Sequence, residues 1–279
     1  MQINDAIKYA TRRLISSDSK RMDSEILLCS ILKCNRATLY THAEKNLSEL
    51  NKKKFEGLVN KRLKGYPIAY LTKQKEFWSH KLYIDETILI PRPETELLVE
   101  KTLELISIHS LNDILELGTG SGAIAIAIAS EKPMLNIKAT DIKATALKIA
   151  KHNADSYEIK NIEFIKSDWF RNIKKYDYDL IVSNPPYISN NDPCLKNSDI
   201  KFEPASALIS GQDGLDDLKK IIQKSSYYLK NNGWLIVEHA YNQGVQVRKN
   251  FLENNFTATT IRDYCGLERI TFGKLLKNE

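Results

Sequence analysis

The sequence predicts an α/β protein: a doubly wound, mostly parallel sheet carrying an antiparallel hairpin at one edge, preceded by a small helical domain. Three observations predict it. Apolar residues recur at helical spacing, without strand alternation, through the first quarter of the chain. Short apolar runs then alternate with helical stretches, and a glycine-rich turn, ELGTGSG at 116–122, joins the first of those runs to a helix.

Ile3, Ala6, Ile7, Ala10 and Leu14 share one helical face, as do Ile26, Leu27 and Ile31, and then Phe55, Leu58, Val59 and Leu63. Ser48 stands where it caps the last of these helices, and Gly65 with Pro67 ends it. Residues 1–75 are therefore read as a helical domain. In EFWSHKLYIDETILIPR, residues 76–92, two short runs rich in β-branched and aromatic residues flank Asp85-Glu86-Thr87, which reads as a β-hairpin linker. Pro93 then opens a helix with Glu94 and Glu96 in its first turn, where the helix dipole favours acids. Residues 93–279 alternate regularly. Strands are expected at 113–117, 137–140, 162–165, 179–182 and 234–238, with helices after Gly122, Lys143 and about Leu215. The two strand-like pieces ATTIRDY and ERITFG have no helix between them and read as the edge hairpin.

The longest apolar stretch, AIAIAIA at 123–129, is far shorter than the roughly 20 residues a membrane-spanning helix needs. The opening MQINDAIKYATRRL is charged where a signal peptide carries its apolar core, so the reading is a cytoplasmic protein. Cys29, Cys34, Cys194 and Cys265 lack C-x-x-C spacing, and the five histidines form no ligand pattern, so no metal and no disulfide framework is implied. Residues 1–75 hold 16 Lys and Arg against 7 Asp and Glu, which places the basic excess of a chain of net charge +6 in the helical domain. Such a surface is either solvated or docks an anionic partner, with Lys52, Lys53, Lys54, Arg62 and Lys64 as candidates.

Chemistry enters at the carboxyl edge of the sheet. Gly118, Gly120 and Gly122, with Glu116, Thr119 and Ser121 between and before them, let the backbone turn tightly and approach a ligand. Asp141, 19 positions after Gly122, stands where an acid holds both ribose hydroxyls of an adenosine. Asp168 and Trp169 follow the third strand, the acid placed to accept from an adenine amine and the ring to cover a base; a loop cap and core packing are the plainer roles. By spacing, the glycines also satisfy a dinucleotide fingerprint, and a bare strand-to-helix turn would need them too.

The fourth strand ends in Asn184-Pro185-Pro186-Tyr187. A planar conjugated amine has its lone pair tied up in the π-system, so it must be aimed as well as brought close. The Asn184 side-chain oxygen accepts one N–H and the Pro185 carbonyl the other, which turns the nitrogen's π-face toward an electrophilic methyl. Pro185 and Pro186 fix φ and remove competing donors, and Tyr187 is placed to stack on the substrate group.

The chain resembles the PrmC/HemK family, the protein-(glutamine) N-methyltransferases that modify class-1 peptide chain release factors. EFWS, LIPRPETELLVE, ELGTGSGAIAIAIA, SDWF, IVSNPPYI, FEPASAL and RDYCGLERITFG carry the likeness in order over nearly all 279 residues. It implies a class I methyltransferase (Rossmann-like) domain using S-adenosyl-L-methionine, with Gly118 to Gly122, Asp141, Trp169 and Asn184 lining the cofactor pocket. It also implies that Asn184 to Tyr187 hold the glutamine of a Gly-Gly-Gln motif, in support of translation termination. Glu116 stands where many members have Asp, and Ser121 where many have Thr. Glu203 and His239 read as supporting residues of the same edge. The expected partner is the release factor, with no membrane and no direct nucleic-acid substrate. The expected reaction is an in-line displacement in which the glutamine nitrogen attacks the methyl carbon. Two other readings stay open on the residues alone. One is an adenine amine methyltransferase, whose motif shares NPPY; the other is an NAD-binding Rossmann protein, which leaves NPPY without a role.

Overall fold

The computed structural model describes residues 1–174, 177–196 and 199–276. They form two compact units, Met1–Gln74 with Lys196–Phe202, and Lys75–Leu195 with Glu203–Glu279.

The helical unit comprises α1 (Ile3–Arg13), α2 (Lys20–Leu32), α3 (Arg36–Thr41), α4 (Glu49–Leu63) and α5 (Ile68–Thr72). Ile3, Leu14, Leu27, Leu28, Phe55 and Val59 are buried at its centre, as their spacing predicts. The Ser48 hydroxyl accepts from the Asn51 amide at 3.2 Å and caps α4. α3 and α5 lie outside the sequence expectation, because six and five residues are too few to display a helical period. Two buried carboxylates bind the helices together. Glu25 accepts from Arg21, Arg36 and Tyr40, and these partners hold its pKa below the usual range although burial acts against them. Asp23 accepts from Ser17, Ser19 and Arg62. Arg62 also reaches Asp199 at 3.0 Å and is only 13% exposed at its side chain, so it is removed from the basic docking set; Lys53, Lys54 and Lys64 are exposed.

The hairpin is β1 (Gln74–Phe77) paired with β2 (His80–Tyr83), and it turns at Trp78-Ser79 rather than at Asp85-Glu86-Thr87. Both turn residues have positive φ, +48° and +61°, the signature of a two-residue primed turn. The usual Asn-Gly signal is missing, so the turn was not legible locally. Carboxylates from elsewhere hold it: the Trp78 amide donates to Glu96 and its indole N–H to Glu131, each at 2.9 Å. Ile88 to Ile90 form no strand, and Asp85 instead caps a turn through the Thr87 amide.

After a 3-10 turn at Pro93–Thr95 come α6 (Glu96–His109), β3 (Asp113–Leu117), α7 (Ala123–Glu131), β4 (Asn136–Asp141), α8 (Ala144–Ser156), β5 (Ile162–Lys166) and β6 (Tyr178–Ser183). Next are α9 (Asp216–Ser225), β7 (Leu229–Glu238), α10 (Gly244–Glu253), β8 (Thr259–Arg262) and β9 (Glu268–Lys274). The seven-stranded sheet runs β5-β4-β3-β6-β7-β9-β8. Pairing is parallel from β5 to β7 and antiparallel through β9 and β8, so the doubly wound sheet and its edge hairpin stand as predicted. Every residue from Ala123 to Ala129 of α7 is buried. The register β3–β6 sets Leu117 beside Ser183, which brings the glycine turn and NPPY out at one switch point of the sheet.

Candidate active site

The turn after β3 is folded over the end of β4. The Gly118 and Thr119 amides both donate to the Thr140 carbonyl, at 2.9 and 2.8 Å, a geometry reached with φ of +76° at Gly118. The Gly120 amide donates to Asp141 Oδ2 at 3.0 Å, and the Lys143 amide to Asp141 Oδ1 at 2.8 Å. Asp141 is thus fixed from both sides; burial raises its pKa and these amides act against that rise. A methyl group added at Gly120 would meet open space, and one at Gly118 would touch the Trp169 ring at 3.5 Å. The indole is held in turn: Trp169 Nε1 donates to Asp217 Oδ1 at 3.2 Å, while Asp217 Oδ2 accepts from Ser210 Oγ at 2.8 Å.

These groups enclose a cavity of about 280 Å³. Gly118, Gly120, Asp141, Ser167, Asp168, Trp169, Asn184 and Pro186 line it, joined by Thr87 to Leu89, Ile142, Lys143, Ala146, Ser206, Ala207, Asp217 and Lys220. Glu116, Thr119, Ser121 and Gly122 lie behind the wall. Glu116 is 1% exposed; its Oε2 accepts from Thr119 Oγ1 at 2.7 Å, its Oε1 has no hydrogen-bond partner among the described residues, and burial pushes its pKa up to about 7. The Ser121 carbonyl accepts from Asn153, and at Gly122 α7 and α8 approach so closely that a Cβ would lie 3.1 Å from that of Ala150.

NPPY is braced from several directions. Ser183 Oγ donates to the Leu117 carbonyl, and Asn184 Nδ2 donates to Thr95 Oγ1 at 3.1 Å. The Tyr187 carbonyl accepts from Gln243 Nε2 at 3.0 Å, and the next residue is stitched to the 208–210 segment by Ile188 N to Leu208 O and Ser210 N to Ile188 O. The Tyr187 hydroxyl donates to Glu238 Oε1 at 3.1 Å. Burial and this carboxylate both raise the phenol's pKa, so it stays protonated. Glu238 is 1% exposed, and burial pushes its own pKa up to about 7.

Asn184 and Pro186 therefore face the cavity, whereas Pro185 is buried and Tyr187 packs its ring against the hydrophobic core. Glu203 is an ion-pair partner of Arg92 and accepts from the Ile90 amide, joining the 90–92 and 203 segments of the chain. His239 is fully buried, with Nδ1 on the Ala240 carbonyl and Nε2 on Thr271 Oγ1. Both support the edge from outside the cavity. Sequence reasoning passed over Thr95, which lies unremarked inside LIPRPETELLVE, and over Asp217, Glu238 and Gln243, which sit in no motif. Among the described residues no group of His, Cys, Asp or Glu could hold a metal ion, and no helix is long and apolar enough to cross a membrane.

Comparison with known proteins shows what this chain is similar to. Residues 93–199 match the methyltransferase small domain model, and residues 5–72 match the PrmC N-terminal domain model. The release factor glutamine methyltransferase of Aliivibrio fischeri is 45% identical over 263 residues, 94% of this chain and 92% of that protein. Its namesake from Shewanella oneidensis is 42% identical over 274 residues, 98% of this chain and 96% of that protein. Among solved structures, the ribosomal protein L11 methylase of Lactobacillus delbrueckii subsp. bulgaricus superposes with a TM-score of 0.51. That match is 21% identical and covers 70% of this chain and 84% of that one, a likeness of fold.

Proposed function

The chain belongs to the release factor glutamine methyltransferases, and from that premise we propose that it transfers a methyl group from S-adenosyl-L-methionine to one nitrogen. That nitrogen is the side-chain amide of the glutamine in the Gly-Gly-Gln motif of class-1 peptide chain release factors. The observation that carries the reading is a single cavity walled by the glycine turn, Asp141 and Trp169 on one side and by Asn184 and Pro186 on the other. A nucleoside-bearing donor and a planar acceptor group fit side by side there.

The residues present suit that donor. Asp141 offers a fixed carboxylate to a ribose diol, Trp169 offers a flat wall, Asp168 stands at the mouth, and the open space at Gly120 admits a ligand against the backbone. S-adenosyl-L-methionine bound there supplies a methyl carbon activated by its sulfonium. Glu116, Thr119, Ser121 and Gly122 act from behind by shaping the turn.

Aiming the acceptor is the task of NPPY. Asn184 Oδ1 and the Pro185 carbonyl take the two amide hydrogens of the glutamine, and Pro185 and Pro186 bring no N–H to compete for them. These acceptors bind the positive charge that develops on nitrogen better than they bind the neutral amide, so they act most strongly in the transition state. An N-alkylated amide that still carries its extra proton is acidic enough to lose it without a strong base. Tyr187 braces the rim through Glu238. The helical unit, with Lys53 and Lys54 exposed, docks the release factor. That substrate places the enzyme in the cytoplasm, where translation terminates.

The test is incubation with S-adenosyl-L-methionine labelled in the methyl group, offered release factor, DNA and RNA in separate reactions. Label in the glutamine of the Gly-Gly-Gln peptide is the expected result. Label in nucleic acid alone would overturn the proposal in favour of an adenine amine methyltransferase.

A further inference from the structure

A side-chain amide is ambiguous by construction: turned one way it offers an acceptor to the cavity, turned the other way two donors. Asn184 serves the proposed reaction only in the first orientation, so something behind it must take its NH2 group. The structure shows what does. Asn184 Nδ2 donates to Thr95 Oγ1 at 3.1 Å, across 89 residues of sequence.

Thr95 ends the 3-10 turn that leads into α6, a 14-residue helix, and already has helical backbone angles, φ −68° and ψ −17°. Its side chain makes no cap hydrogen bond to the helix. The side chain is 3% exposed and is committed to Asn184 instead. Burial raises the pKa of Glu238, and the Thr95 hydroxyl acts against that rise. The Thr95 hydroxyl oxygen accepts from Asn184 Nδ2, and so holds that amide with its Oδ1 turned away from Thr95.

We propose that Thr95 is a positioning residue that fixes the polarity of Asn184: its hydroxyl oxygen captures the Asn184 NH2 and leaves Oδ1 as the group that this side chain offers to the substrate nitrogen. The inference rests on the function proposed above and names the device that makes NPPY an acceptor. It also gives the PET segment at 93–95 a role that its place at the start of a helix does not explain.

The test compares Thr95→Val, which keeps the shape and removes the hydroxyl, with Thr95→Ser, which restores it. Turnover, the Michaelis constant for release factor and calorimetric affinity for S-adenosyl-L-methionine are measured for both. With the amide free to rotate, Thr95→Val is expected to lose about tenfold or more in kcat with cofactor affinity unchanged, the scale of a misaimed reacting group. Thr95→Ser is expected to stay within about threefold of wild type in kcat. A Thr95→Val enzyme that turns over like wild type, or a folded Thr95→Ser enzyme that loses as much as the valine variant, would overturn the inference. So would equal losses in kcat and cofactor affinity, which mark a general structural role. If Thr95→Val does not fold, the serine variant decides alone: turnover near wild type supports the inference and a large loss contradicts it. Failure of the functional reading looks different, because the wild-type enzyme itself then methylates no release factor.

Discussion

Gly214 offers a mechanical test of the rim. It sits at φ +75°, and a Cβ built on it would lie 2.3 Å from the Tyr187 carbonyl oxygen and 2.8 Å from Gln243 Nε2, where ordinary contact begins at 3.4 Å. Gly214→Ala therefore pushes the last residue of NPPY, and the glutamine that anchors it, by about 1 Å. The positive φ alone costs roughly 1–2 kcal/mol for a residue with a Cβ. A further hydrogen bond, Gln243 to Tyr187, is strained, at about 1 kcal/mol. A loss of stability of about 2 to 3 kcal/mol follows, read in thermal unfolding as a fall of several degrees. The catalytic effect is larger, since a reacting group displaced by about 1 Å loses on the order of 100-fold in rate. Gly214 does not line the cavity, so affinity for S-adenosyl-L-methionine is expected to be unchanged. Steady-state turnover with release factor and calorimetry with the cofactor separate the two. A Gly214→Ala enzyme that shows the stability loss yet keeps kcat within about threefold of wild type would refute the claim that the rim aims its substrate.

Other outcomes follow from the same geometry. Removing the anchor of the indole in Asp217→Ala costs about 1 kcal/mol, so cofactor affinity should weaken about fivefold while kcat at saturating cofactor changes little; the reverse pattern would contradict Trp169's place against the cofactor. Burial raises the pKa values of Glu116 and Glu238 from 4.5 to about 7, so the folded chain binds these protons more tightly than the unfolded one. Their contribution is full below the unfolded value and is lost as pH rises through about 7. Glu238→Gln should therefore gain on wild type by up to about 3 kcal/mol in denaturant unfolding between about pH 5 and pH 8, and a constant difference would refute the shift. Arg62→Ala strips a partner from buried Asp23 and should destabilise the helical unit by about 3 kcal/mol. Lys53→Glu with Lys54→Glu should instead raise the Michaelis constant for release factor at unchanged stability; no change would remove the docking role.

Much of this was legible locally. The strands of the sheet are short apolar runs, the glycines mark the turn after β3, and two prolines stopping a buried strand mark the rim. What escaped has a common cause, since each part of it depends on partners distant in sequence. The Trp78-Ser79 turn depends on Glu96 and Glu131, 18 and 53 residues away, and neither turn residue has the backbone preference that would announce it. Thr95 reads as an ordinary helix start, and only the fold reveals that its hydroxyl is turned to Asn184. Arg62 reads as one of several surface cations until α2 and the 196–202 segment bring Asp23 and Asp199 to it. Tyr187 reads as a stacking platform, yet Glu238, 51 residues on, takes its hydroxyl and draws the ring into the core.

The most direct measurement is a crystal structure with S-adenosylhomocysteine and a Gly-Gly-Gln peptide bound. The glutamine amide nitrogen is expected within about 3.2 Å of both Asn184 Oδ1 and the Pro185 carbonyl oxygen, with Asn184 Nδ2 still on Thr95. A glutamine nitrogen that meets neither oxygen, or an Asn184 that presents its NH2 to the peptide, would contradict the account.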